Sequence, residues 1–172
     1  MKGNDGTGNI KERDNWETPQ WLFDKLNKQY DFVFDCCADY ENTKCHQHTL
    51  NFEGINNIHE KIGDILESYN VWMNPPFSKA KKMFKHFFNT MESGVCIYRC
   101  DNMETKIWQD VILKYATWIL IPEGRISYEG KIGKGSRFPS ALIGFKVDPP
   151  KDIEGKILFV NVATGEEVKN VN

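Results

Sequence analysis

Between residues 79 and 91 the apolar positions fall on one helical stripe. Ala80, Met83, Phe84, Phe87, Phe88 and Met91 follow the i, i+3, i+4, i+7, i+8, i+11 spacing, while Lys79, Lys81, Lys82 and Lys85 lie off it, which predicts an amphipathic helix with one buried face. A second helix is predicted from about 19 to 29, with Trp21, Leu22, Lys25 and Leu26 at helical spacing. Thr18 reads as its hydroxyl N-cap and Pro19 as its first helical residue, where a missing N–H costs nothing. A third, from 104 to 115, puts Ile107, Trp108, Val111, Ile112 and Tyr115 on one face. Short β-rich runs lie between and after these helices, at 31–37, 71–73 and 95–98 and near 117–121, 141–145 and 156–160. The alternation predicts an α/β fold with a largely parallel sheet covered by helices on both faces. The interval from 37 to 71 is tight for two strand–helix units, so a strand there is expected to be missing or very short.

In open sheets of this kind ligands sit outside the carboxyl ends of the strands. Asp35 and Asn74 both fall at such ends and point to one cleft. The second end is abrupt: Val71, Trp72 and Met73 run straight into Asn74, Pro75, Pro76 and Phe77. Such a tetrapeptide makes a rigid turn, and it also has a specific chemistry. An exocyclic amine on an aromatic ring is a poor nucleophile because its lone pair is delocalised. Two acceptors against its N–H bonds draw the nitrogen toward a tetrahedral geometry and stabilise the positive charge that develops on alkylation. The Asn74 side-chain oxygen and the Pro75 carbonyl, held rigid by Pro76, are suited to be those acceptors, and Phe77 supplies a face for stacking. The four residues resemble the catalytic Asp/Asn/Ser-Pro-Pro-Tyr/Phe loop of the amino-methyltransferases. For a base inside a duplex, this chemistry requires flipping it out of the stack.

Composition narrows the partners. The 172 residues carry a net charge of -2, so contact with nucleic acid must come from a local patch. The Gly-rich basic stretch around Arg125, Lys131, Lys134 and Arg137 is the candidate for holding a DNA backbone, with Lys79, Lys81, Lys82 and Lys85 as the alternative. The five cysteines form no paired CxxC framework, which points to a reducing, cytoplasmic setting; no stretch is apolar and long enough to span a membrane. The Cys-His-Gln-His run at 45–48 matches no closed zinc pattern, so no metal is expected. Residues 1–14 and 166–172 are poor in apolar side chains and are expected to be flexible, leaving 15–165 as one domain.

Five segments appear together and in order: "NWETPQWLF" at 15–23, "FDCCADYENTKC" at 34–45, "GDIL" at 63–66, "VWMNPPF" at 71–77 and "SRFPSALIGF" at 136–145. In this arrangement the chain resembles the small phage-type DNA adenine methyltransferases over about residues 15–146. The resemblance implies a Rossmann-like class I methyltransferase sheet, S-adenosylmethionine as cofactor, double-stranded DNA as substrate, and a phage or prophage gene expressed in a bacterial cytoplasm. It places Trp16, Thr18, Pro19, Asp35, Ala38 and Asp39 at the cofactor, with Asp64 as a partner for its adenine amine. The chain departs from larger methyltransferases in having "CCADYEN" where a Gly-rich loop would follow the first strand. A protein glutamine methyltransferase, a cytosine-amine methyltransferase, or a non-catalytic DNA-binding protein on the same fold are the competing readings. The first would bring an amino-terminal helical domain, and the second more often has Ser at position 74.

Overall fold

The structure, a computed structural model, describes residues 14–50, 69–129 and 138–160. Within them the chain builds a seven-stranded sheet in the order β2-β1-β3-β4-β6-β5-β7. Its strands are β1 (Phe32–Asp35), β2 (Gln47–His48), β3 (Asn70–Met73), β4 (Gly94–Arg99), β5 (Trp118–Pro122), β6 (Ser140–Phe145) and β7 (Gly155–Phe159). Three helices accompany them: α1 (Gln20–Tyr30), α2 (Ala80–Thr90), and α3 over 106–115, whose middle, Trp108–Ile112, is wound as a π-helix. None of these is long and apolar enough to cross a membrane. β2, between the two strand ends of interest, is two residues long, the short strand that the spacing left room for.

The sheet is mixed, which corrects the largely parallel expectation. β1 pairs parallel with β2 and β3, and β3 with β4. β6 is antiparallel to both β4 and β5, and β7 is antiparallel to β5. The first five strands therefore run one way and the last two the other. A parallel step needs a crossover; α2 provides it from β3 to β4, and α3 from β4 to β5 with one position skipped. β6 folds back into that gap. Its residues are buried on both faces, and such a run reads the same in either direction.

Strand alternation divides the core in two. On one side Trp72, Val95, Ile97, Trp118, Leu120 and Leu142 pack with Leu22, Phe23 and Leu26 of α1. On the other, Val71, Met73, Cys96, Tyr98, Ile119 and Ile143 pack with Met83, Phe84 and Phe87 of α2 and Trp108, Val111 and Ile112 of α3. β1 breaks the alternation: Phe32 belongs to the α1 side and Phe34 to the other. The pairing with β3 shifts register between these two residues, and a one-residue irregularity exchanges the faces of a strand. Gly144 is required by packing, since a Cβ there would lie 2.0 Å from the Trp118 indole.

Two local expectations are also corrected. α1 begins at Gln20, with Pro19 in extended geometry at the cap position and no side-chain cap; the Pro19 carbonyl accepts from the N–H groups of Leu22 and Phe23 at 3.1 and 3.2 Å. Thr18 is thus not the N-cap. In α3, Ile107, Trp108, Val111 and Ile112 are buried as the pattern predicts, but Tyr115 is 40% exposed. The wider π turn uses one more residue per bond-closed loop and rotates Tyr115 off the buried face.

Candidate active site

A cleft of about 380 Å³ opens at the carboxyl ends of β1 and β3. Its walls bring together Trp16, Thr18, Asp35, Ala38, Asp39, Asn74 and Pro76 from the residues expected there, and add Asp14, Glu17, Lys44, Lys79 and Met83. Pro19, Pro75 and Phe77 do not line the cleft. Asp64, Lys131, Lys134 and Arg137 lie outside the described residues. Arg125 is exposed on the turn after β5, near enough to Asp101 to favour its ionised form.

Asn74 ends up oriented by a segment far from it in sequence. Its Nδ2 donates to the Trp16 carbonyl at 2.7 Å. A carbonyl only accepts, so the amide nitrogen must face it, and Oδ1 remains as the acceptor of the side chain. The same amino-terminal segment grips the loop again two residues earlier: Asp14 accepts from the Ser78 N–H at 2.9 Å and from the Ser78 hydroxyl. A reciprocal pair of 3.0 Å backbone hydrogen bonds between Glu17 and Glu129 holds the segment from its other side.

The acidic residues are partly committed to their own loop. Asp35 is 3% exposed; its carboxylate accepts from the N–H groups of Lys44 at 3.0 Å and Cys37 at 3.3 Å. Burial outweighs these bonds and raises its pKa to about 6. Asp39 Oδ1 accepts from the N–H groups of Glu41 and Asn42 at 2.9 and 3.1 Å, closing the turn that follows β1. In contrast, the Thr18 hydroxyl and the Trp16 indole N–H are buried with no hydrogen-bond partner among the described residues. Buried polar groups are rarely left this way, and Thr18 lies in the wall of the cleft.

Phe77 faces a different neighbourhood. Its ring meets those of Phe138 and Tyr98 edge-on, at centroid distances of 5.1 and 5.7 Å, with the Arg99 guanidinium over it at 5.5 Å. Sequence reasoning missed Asp14, Arg99, Asp101 and Phe138. The Asp14–Ser78 contact joins positions 64 residues apart, and no local pattern signals it. Arg99 at the end of a buried strand was the one legible clue, because a guanidinium there needs a partner.

Fold and cleft together define an α/β protein with a small-molecule-sized site at the carboxyl ends of its parallel strands, bordered by an Asn-Pro-Pro-Phe loop. Residues 6–172 match the family Dam, DNA N-6-adenine-methyltransferase. The chain belongs to that family, which implies DNA as the substrate and methyl transfer as the reaction. No curated protein matches the sequence.

Proposed function

We propose that the chain transfers a methyl group from S-adenosylmethionine to the exocyclic amine of adenine in double-stranded DNA. The observation that carries this reading is the Asn74 amide, whose nitrogen is held by the Trp16 carbonyl so that Oδ1 serves as acceptor at the cleft. A target amine there donates one N–H to Oδ1 and the other to the Pro75 carbonyl. Acceptors fixed in advance stabilise the charge that grows on the nitrogen without reorganising at the moment of transfer. Phe77 provides the stacking surface for an adenine that has left the duplex.

The cleft suits the cofactor. Its volume falls within the roughly 300–1,000 Å³ of ligand sites, and four carboxylates (Asp14, Glu17, Asp35 and Asp39) stand against two lysines in its walls. That balance favours a ligand with a sulfonium and an ammonium group. Thr18 offers an unmatched hydroxyl, Asp35 and Asp39 the carboxylates, Trp16 and Ala38 the walls, and Pro19 the start of α1; Asp64 is assigned to the adenine amine. When bound, S-adenosylmethionine supplies an electrophilic methyl group. The parallel order β2-β1-β3-β4 with its cleft at the carboxyl edge supports a Rossmann-like class I methyltransferase frame. Lys131, Lys134, Arg137 and Arg125 are assigned to the phosphate backbone. Replacing the first three together by Ala should lower the magnitude of the DNA salt slope by about one unit per lost contact and leave cofactor affinity unchanged.

Titration calorimetry with S-adenosylmethionine, beside sequencing of DNA from expressing cells for N6-methyladenine, tests the whole reading. Saturable binding and methylated adenine are expected. No binding at millimolar cofactor, or methylation confined to cytosine, would overturn it.

A further inference from the structure

Arg99 closes β4 at its carboxyl end, beside the Asn-Pro-Pro-Phe loop. Its guanidinium carbon lies over the Phe77 ring, 5.5 Å from the centroid, and over the Phe138 ring at 5.2 Å. The fork of the same group is engaged by Asp101: Nε donates to Oδ1 at 2.7 Å and Nη2 to Oδ2 at 2.6 Å. The Arg99 side chain is only 11% exposed. Asp101 responds as a true partner, its carboxyl held below the usual carboxylate range first of all by the hydrogen bonds from Arg99. Phe138 touches both ends of the arrangement, packing edge-on against Phe77 at 5.1 Å and against Trp16 at 5.8 Å.

We infer that Arg99 is a positioning residue for the Phe77 stacking platform, and that Asp101 fixes and neutralises it; the inference rests on the adenine reading of the site. A phenyl ring at a loop end turns about two side-chain torsions, and a base can stack well only if that ring holds one plane. Tyr98 and Phe138 restrain it edge-on. The guanidinium covers one face, attracted by the ring's negative π surface, so a flat base would stack on the opposite one. Lysine does not substitute, because its ammonium is a point charge that neither stacks flat nor binds Asp101 through two parallel bonds. Neutralisation matters as well: the target amine gains positive charge during methylation, and an uncompensated guanidinium one ring away would oppose it. With two donors committed to Asp101 and its charge balanced, Arg99 is a poor phosphate contact.

The test compares Arg99→Lys, Arg99→Met and Asp101→Asn with the parent chain. Methyl transfer from tritiated S-adenosylmethionine is followed on genomic DNA from cells lacking adenine methylation, beside the aromatic carbon spectrum of protein labelled at phenylalanine, with the Phe77 signal assigned by Phe77→Leu. All three variants should lose at least tenfold in kcat while KM for the cofactor stays within twofold, the DNA salt slope should not change, and the Phe77 ring signal should shift or broaden. Recovery by Arg99→Lys to within twofold of the parent kcat would overturn the inference. So would a salt slope smaller by about one unit in Arg99→Met, the mark of a lost phosphate contact, or a Phe77 signal unmoved in Arg99→Lys. A parent chain without transfer removes the adenine reading, and the ring signal then decides the clamp by itself.

Discussion

The two ends of one four-residue loop sit in opposite kinds of environment. On the Asn74 side the cleft is polar and incomplete: the Thr18 hydroxyl has no hydrogen-bond partner among the described residues, and Asp35 is a buried acid whose pKa is about 6. The Phe77 side is aromatic and closely packed. Arg99 is forked onto Asp101, three aromatic rings meet edge-on, and the buried Tyr128 hydroxyl lies 2.9 Å from that of Ser140. Trp16 spans both, with its carbonyl on Asn74 and its ring against Phe138 and Tyr128. Unsatisfied polar groups persist in a native fold where a ligand completes them, whereas a filled aromatic cluster resists displacement and makes a firm support. On the proposed reading the cofactor takes the first side and the second supports the base.

Breaking the acceptor at the boundary should have the largest effect. Asn74→Ala should reduce methyl transfer by about 100-fold or more, the scale expected for a preorganised transition-state contact, with cofactor affinity within a few-fold. Single-turnover transfer beside calorimetry separates the two quantities; near-parental transfer would reduce the motif to a turn.

The incomplete side should show opposing pH dependences. Burial raises Asp35 from 3.8 to about 6 against the pull of the Lys44 and Cys37 N–H groups and the charges of His48 and Lys44. Its folded pKa lies above its unfolded one, so its contribution to stability is complete below about pH 4 and is lost as pH rises through 6, on the order of 3 kcal/mol by pH 7. Cofactor affinity should move the other way and strengthen about tenfold as the carboxylate ionises through pH 6. Denaturant unfolding and calorimetry from pH 4.5 to 7.5 measure both slopes, which Asp35→Asn should flatten.

Thr18→Val sharpens the same contrast with a smaller change. It removes a hydroxyl with no partner among the described residues, so the unliganded fold should gain about 1 kcal/mol, while the cofactor dissociation constant rises several-fold. Stability unchanged or lowered in thermal unfolding would mean that the hydroxyl is already satisfied. Smallest of all, Lys81→Ala on the outer face of α2 loses a 4.0 Å ion pair with Asp110 between half-exposed side chains; urea unfolding should register less than about 0.5 kcal/mol, and transfer should not change.

Much of this was written locally. The stripe from Ala80 to Met91, the stop of β3 at two prolines, and the convergence of Asp35 and Asn74 on one cleft follow from side-chain period and turn chemistry, which act over a few residues. Tertiary structure decided the rest. It placed β6 antiparallel between β4 and β5, although the run Ser140–Phe145 is buried on both faces and carries no sign of direction. It gave the cap of α1 to Pro19 and so left the Thr18 hydroxyl without a partner among the described residues, and it turned the Asn74 amide through the carbonyl of Trp16, 58 positions away. Period and propensity say which surfaces must be buried; which distant groups then meet depends on how the sheet is assembled, and that is a property of the whole chain.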